Sequence, residues 1–317
     1  MKLGQLGSPV VSPKRLSTRF GGQSLRLLVL SCIFLASMAA NRFASGQEAE
    51  KAEAITADRT GPKGRITTKW NVVYREVGGK KVKADIYLPN GDEPHPIVVM
   101  VHGGAWALGD KFDLIMHGRE LAKAGFVAVS VNYRLAPKHK IKDQLEDCRA
   151  AVKWVLASAS EWKGDEDRLA LWGYSAGGHL VSLLALDQQK GDPVYKAVAA
   201  GGAPCEFSFI PSNARTLAYV FGGSREEMPE QYKKYSPVEY ARAGAPPFLF
   251  FHGDKDMIVP DSSSKALHKR LSAAKVESTY YTAKNKGHIM TFLDRESRKE
   301  VVEFLSNKLL DSDHAAP

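Results

Sequence analysis

Four short runs of the chain are apolar at every position: Ile97-Val98-Val99-Met100-Val101, Val127-Ala128-Val129-Ser130-Val131 (with one small hydroxyl), Leu169-Ala170-Leu171-Trp172 and Phe248-Leu249-Phe250-Phe251. A strand with one wet face alternates polar and apolar residues, so an unbroken run marks a strand buried on both faces. Stretches with helical periodicity lie between and after these runs, at 114–124, 143–158, 176–187, 262–274 and 294–310. Buried strands alternating with helices cannot form a sandwich or a bundle. They predict a mostly parallel sheet of about eight strands with helices on both faces. Two alternating runs, Lys69–Glu76 and Val82–Leu88, flank Gly78-Gly79 and predict a hairpin that supplies an antiparallel edge. A further strand is expected at Glu277–Tyr281. The segment 202–247 breaks the rhythm with six prolines and room for a short helix around Asn213–Phe221. It is expected to be either a lid or substrate-binding wall, or a cluster of structural loops.

The 317 residues carry 44 basic and 35 acidic side chains, which would suit a polyanion partner if the excess were spread evenly. It is not. Lys2, Lys14, Arg15, Arg19, Arg26 and Arg42 fall within 1–46 with no acidic residue, and the remaining 38 basic residues face 35 acidic ones. The body of the chain therefore has no nucleic-acid signature. The basic stretch up to Arg26, the apolar run Leu27–Ala36 and the small residues Ala44-Ser45-Gly46 read as a secretory signal peptide. Its apolar core is too short to span a bilayer comfortably, so export is expected, with no stable membrane association after cleavage. Residues 47–68 read as a linker or disordered start, 69–310 as one large domain and 311–317 as a tail. After the leader only Cys148 and Cys205 remain, too few for a disulfide framework. Neither CxxC nor HExxH spacing occurs, so no metal is expected, nor does the chemistry below call for a cofactor.

That chemistry starts at Gly173-Tyr174-Ser175-Ala176-Gly177. The pentapeptide alone is a weak signal. Here it joins the buried strand 169–172 to the helix 176–187, at the end of an open sheet where ligands bind. A nucleophile on so tight a turn needs glycine at 173 and 177, because neighbouring backbone approaches too closely for side chains. The turn lifts the Ser175 hydroxyl clear of the sheet and leaves the Ala176 N–H at a helix start, facing developing negative charge.

A serine hydroxyl needs a histidine to accept its proton and a carboxylate to orient that histidine, in the chain order Ser, acid, His for this fold class. His288, in the loop Lys284-Asn285-Lys286-Gly287-His288 before the last helix, suits the base better than His179, His252, His268 or His314. The segment His252–Pro260 after the strand 248–251 offers Asp254 and Asp256. Asp254 is expected to bond turn N–H groups and Asp256 to reach His288. The loop His102-Gly103-Gly104-Ala105-Trp106 follows the strand 97–101 and suits an oxyanion hole. Gly104 and Ala105 are the expected donors beside Ala176, with Gly103 a close competitor. His102 is expected to be a structural hydrogen-bonder. Trp106 either packs under the loop or walls the leaving-group pocket, and Tyr174 is grouped with it as a candidate pocket residue.

Taken together, the segments 102–106, Tyr133-Arg134-Leu135-Ala136-Pro137, 173–179, 252–260 and Gly287-His288 resemble the esterase branch of the α/β hydrolases near hormone-sensitive lipase. Within it they are most similar to bacterial carboxylesterases related to feruloyl and acetyl-xylan esterases. The resemblance spans about 69–310 and implies an α/β-hydrolase fold, a serine esterase activity and a mainly structural role for 133–137. Ala105 stands where the lipase-like form has a third glycine. Only residues 47–68 separate the expected cleavage site from the first strand, which implies a small cap or none. An open site would admit a small-molecule or polysaccharide ester. An amide or formamide hydrolase, or a peptidase, would use the same triad; a binding module without catalysis would not retain it.

Overall fold

The computed structural model describes residues 66–310, so the signal peptide, most of the linker and the tail expected from the sequence lie outside the described residues. Along the chain run β1 (Thr67–Val77), β2 (Lys80–Leu88), β3 (His95–Val101), α1 (Ile115–Lys123), β4 (Val127–Val131), α2 (Ile141–Ala157), β5 (Gly164–Tyr174) and α3 (Ala176–Leu186). Then follow β6 (Ala197–Gly201), α4 (Ala218–Phe221), α5 (Pro229–Lys234), β7 (Phe248–Gly253), α6 (Asp261–Ala273), β8 (Ser278–Ala283), α7 (His288–Leu293) and α8 (Arg295–Leu309). The strands form one eight-stranded sheet in the order β1-β2-β4-β3-β5-β6-β7-β8. β1 pairs with β2 and β2 with β4 antiparallel; every pairing from β4 to β8 is parallel.

The unbroken apolar runs are explained by two cores. Alternate residues of β3 point to opposite faces. Ile97, Val99 and Val101 join Val152 and Leu180 from α2 and α3, whereas Val98 and Met100 join Leu121 and Leu305 from α1 and α8. Each such side chain contributes about 1.5–3 kcal/mol by leaving water. Helix coverage on both faces is therefore what allows β3 and β4 to be buried throughout.

One strand has no counterpart in the sequence reading. β6 is Ala197-Val198-Ala199-Ala200-Gly201, and alanine and glycine argue against a strand. The structure requires small residues here. A Cβ on Gly201 would lie 2.2 Å from the Phe251 ring and 2.6 Å from that of Tyr174. Large rings on β5 and β7 fill the space that β6 vacates.

The insertion between β6 and β7 is anchored to the body. Phe207, Phe221 and Tyr232 form an aromatic cluster, with 4.4 Å between the Phe221 and Tyr232 centroids, and all three belong to the core shared with α2 and α3. Its helices α4 and α5 are only 4 and 6 residues long. Cys148 and Cys205 are both buried and free.

Candidate active site

Ser175 sits between β5 and α3 with φ 55° and ψ −121°, a strained backbone for a residue with a side chain. Its N–H donates to the Gly201 carbonyl at 2.8 Å, tying the turn to the end of β6. The flanking glycines are sterically required. A Cβ at Gly177 would lie 1.9 Å from the Val101 carbonyl oxygen, and one at Gly173 would lie 2.4 Å from that of Gly177. The turn is thus wedged against β3 and against the first turn of its own helix, and Ser175 is left partly exposed.

The loop after β3 stands directly against this turn. A Cβ at Gly103 would be 2.9 Å from the Tyr174 carbonyl and 3.2 Å from Ser175 Cβ. Gly104, Ala105 and Trp106 all have positive φ, at 104°, 51° and 60°, and Leu108 N–H closes the turn on the Gly104 carbonyl at 2.9 Å. His102 has a structural role: Nδ1 lies 2.8 Å from the Gly103 carbonyl, and the ring stacks on Tyr133 at 4.4 Å. From the insertion, the Tyr219 hydroxyl donates to the Ala105 carbonyl at 2.9 Å. Asp110, past the end of the loop, caps the 3-10 turn Lys111–Leu114 and accepts from Asn132 at 2.7 Å.

His288 and Asp256 meet. His288 Nδ1 donates to Asp256 Oδ2 at 2.6 Å, while Asp256 Oδ1 accepts the N–H groups of Ile258 and Val259, both at 2.9 Å. Burial raises the proton affinity of Asp256, but hydrogen bonds from His252 and His288, together with their charge, overturn that and hold the carboxyl well below the ordinary carboxylate range. Asp254 instead accepts the Asn285 N–H at 2.6 Å, the turn-bonding role expected of it. The His288 ring reaches towards the serine turn, since a Cβ on Gly202 would lie 3.0 Å from its Cε1. Gly201 and Gly202 therefore bridge the two halves of the site: one carbonyl anchors Ser175, and the missing side chain of the next residue makes room for the imidazole. The sequence reading did not single out either residue, and a Gly-Gly pair ending an alanine-rich segment was the available signal.

Three expectations are corrected. His288 does not lie in a loop; it is the first residue of α7, which Gly287 precedes in extended conformation. Trp106 does not line a pocket. Its residue is 5% exposed, its ring packs among His179, Phe207 and Phe221, and its indole N–H donates to His179 Nδ1 at 3.2 Å. The left-handed backbone at 105 and 106 turns the chain so that the indole enters the core, where its N–H needs a partner. That partner stays neutral, because burial holds the His179 pKa down at about 4 while Nε2 donates to the Tyr235 carbonyl. Tyr174 is not a pocket wall either. It is buried, and its hydroxyl donates to the His288 carbonyl at 2.6 Å, fixing the start of α7 from below.

A serine turn after β5, a carboxylate after β7 and a histidine after β8, on an eight-stranded mostly parallel sheet, make this an α/β hydrolase in fold. The family model described as BD-FAE matches residues 84–271, a stretch that contains the 102–106 loop, Ser175 and Asp256. The chain belongs to that family. It is 29% identical over 225 residues to the esterase LipC of Mycobacterium tuberculosis, covering 64% of this chain and 55% of that one. It is 31% identical over 225 residues to the isoprenylcysteine alpha-carbonyl methylesterase ICME of Arabidopsis thaliana, covering 64% and 53%. The match thus spans little more than half the length of either relative. Among solved structures, a truncated carbohydrate esterase from gut microbiota superposes with a TM-score of 0.71 at 23% identity, over 77% of this chain and 97% of that one. The esterase Est2 of Thermogutta terrifontis superposes with a TM-score of 0.64 at 23% identity, over 81% and 95%.

Proposed function

We propose that this protein is a serine hydrolase of carboxylic esters, working through an acyl-enzyme on Ser175. The observation that carries the reading is the 2.6 Å bond from His288 to Asp256, with the imidazole lodged against Gly202 beside the Ser175 turn. In the reaction, Ser175 Oγ attacks the ester carbonyl as His288 Nε2 takes its proton, and Asp256 stabilises the resulting imidazolium. The N–H groups of Ala176 and of Gly104 and Ala105, with Gly103 the competing donor, hold the oxyanion; one such donor is worth about 2.7–4 kcal/mol of barrier. His288 then protonates the departing alcohol. Water repeats the sequence on the acyl-serine, and the acid leaves. The esterase names of the curated relatives support ester over amide as the substrate bond.

Short acyl groups are the proposed substrates, and acylated polysaccharide is the polymeric candidate, a class consistent with the carbohydrate esterase among the structural relatives. Short insertion helices, with Tyr219 holding the insertion to the 105 carbonyl, favour an open site. The leader at 1–46 supports export, which amino-terminal sequencing of the mature protein checks. A fluorophosphonate probe should label the folded protein, and Ser175→Ala should abolish labelling. Labelling that survives in the variant would sink the mechanism. Across p-nitrophenyl esters, acetyl and butyryl esters should exceed long-chain esters by about tenfold or more in kcat/KM; a long-chain preference would overturn the open-site reading.

A further inference from the structure

Asp256 accepts more than the proposed triad requires. Both amide N–H groups fall on Oδ1, and His288 falls on Oδ2. The remaining position on Oδ2 belongs to a second imidazole: His252 Nε2 lies 3.1 Å away, and both its side chain and that of Asp256 are fully buried. The same Nε2 hydrogen-bonds the Val259 carbonyl at 2.9 Å, so its one N–H is shared between that carbonyl and Oδ2. Facing only acceptors, Nε2 must carry a proton and donate it. On the far side of the ring, Nδ1 lies 2.8 Å from Ser264 Oγ, which in turn is 3.1 Å from the Tyr280 hydroxyl. A continuous polar line therefore runs from Tyr280 on β8 through Ser264 on α6 and His252 on β7 to the carboxylate that holds His288.

We propose that His252 is a positioning residue for Asp256: its N–H fills the last acceptor site of the carboxylate and stops it rotating away from His288. The inference rests on the ester-hydrolase reading above. A carboxylate has about four acceptor positions, and a buried one with a position empty is free to turn or to admit water. With two amides on Oδ1, and His288 and the His252 N–H that Val259 shares on Oδ2, one orientation satisfies them best. Ser264 and Tyr280 act one step further out, by holding the imidazole in the ring plane that aims Nε2 at Oδ2. His252 touches neither substrate nor Ser175 in this scheme; it acts through Asp256.

The test compares His252→Phe, which keeps the ring and loses the donor, with His252→Gln, whose amide N–H can occupy the place of Nε2. Loss of one hydrogen bond to a charged group should lower kcat of His252→Phe by about 10- to 100-fold with KM changed less than about twofold. His252→Gln should recover most of that loss. Ser264→Ala, a smaller change in the same line, should lower kcat by about 3-fold and serves if the phenylalanine variant does not fold. The far-downfield proton resonance of the His288 to Asp256 bond should weaken or shift in His252→Phe and return in His252→Gln. Equal losses in the Phe and Gln variants, a loss confined to KM, or a resonance unmoved in His252→Phe would each overturn the proposal. The resonance reads Asp256 without turnover. Wild-type protein that neither labels nor hydrolyses esters, yet shows the resonance shift, would therefore break the ester-hydrolase reading and leave the positioning role standing.

Discussion

The Ser175 side and the Asp256–His288 side of the proposed site are held by different forces. Around Ser175 the constraint is backbone against backbone: carbonyl oxygens of Val101 and Gly177 occupy the space that side chains at 177 and 173 would need. Around Asp256 and His288 the constraint is a polar web: His288 and two backbone amides bond one carboxylate, His252 lies 3.1 Å from it, and Tyr174 bonds the His288 carbonyl. Steric exclusion leaves no graded response, because a methyl group either fits or displaces a strand. A hydrogen-bonded web fails by degrees. The two sides should accordingly differ in what a substitution damages, folding on one and rate on the other.

The sharpest test of the web is Asp256→Ala, which should lower kcat/KM by about 10⁴-fold while the protein stays folded. Asp254→Ala, which removes only a bond to the Asn285 N–H, should change it by less than about 10-fold, and the reverse order would reassign the acid. On the other side, Gly177→Ala should cost more than about 3 kcal/mol in urea unfolding or prevent soluble expression, since its Cβ would lie 1.9 Å from a strand carbonyl. A well-folded variant with slow turnover would erase the contrast. Gly202→Ala joins the two sides, with φ 50° and a Cβ 3.0 Å from His288 Cε1. It should lower kcat by about 10- to 100-fold and stability by about 1–2 kcal/mol. The smallest effect is in pH. Asp256 is held below its ordinary range, so its pairing stabilises the folded state above the unfolded carboxylate pKa and that stability is lost as pH falls through the folded value. The stability gap between wild type and Asp256→Asn should therefore be full at neutral pH and shrink only below about pH 4. A gap that stays constant well below pH 4 would mean that the carboxylate pairing does not stabilise the fold.

Much of this was legible in the residues. Continuous apolar runs at 97–101 and 127–131 announced strands with helices on both faces, and the glycines at 173 and 177 announced the tight turn. Asp256 was separable from Asp254 because it lies farther from the end of β7, past the turn. What escaped followed one pattern. β6 is written in residues that disfavour strands, because Phe251 and Tyr174 fill the volume beside it. His252 was weighed and set aside as the base, although its Nε2 lies 3.1 Å from Asp256 Oδ2. Trp106 ends the 102–106 loop and Tyr174 precedes Ser175 in sequence, yet both side chains turn inward.

The sequence by itself determined the layered parallel sheet and the tight turn at Ser175, since these depend on periodicity and on residue types that only one local geometry tolerates. Only the tertiary structure decided which neighbours of those residues face the site and which face the core. That depends on where β6, α6 and the 202–247 insertion bring their atoms, and contacts such as Asp256 with His288 and Tyr174 with His288, 32 and 114 residues apart, leave no local periodicity to read.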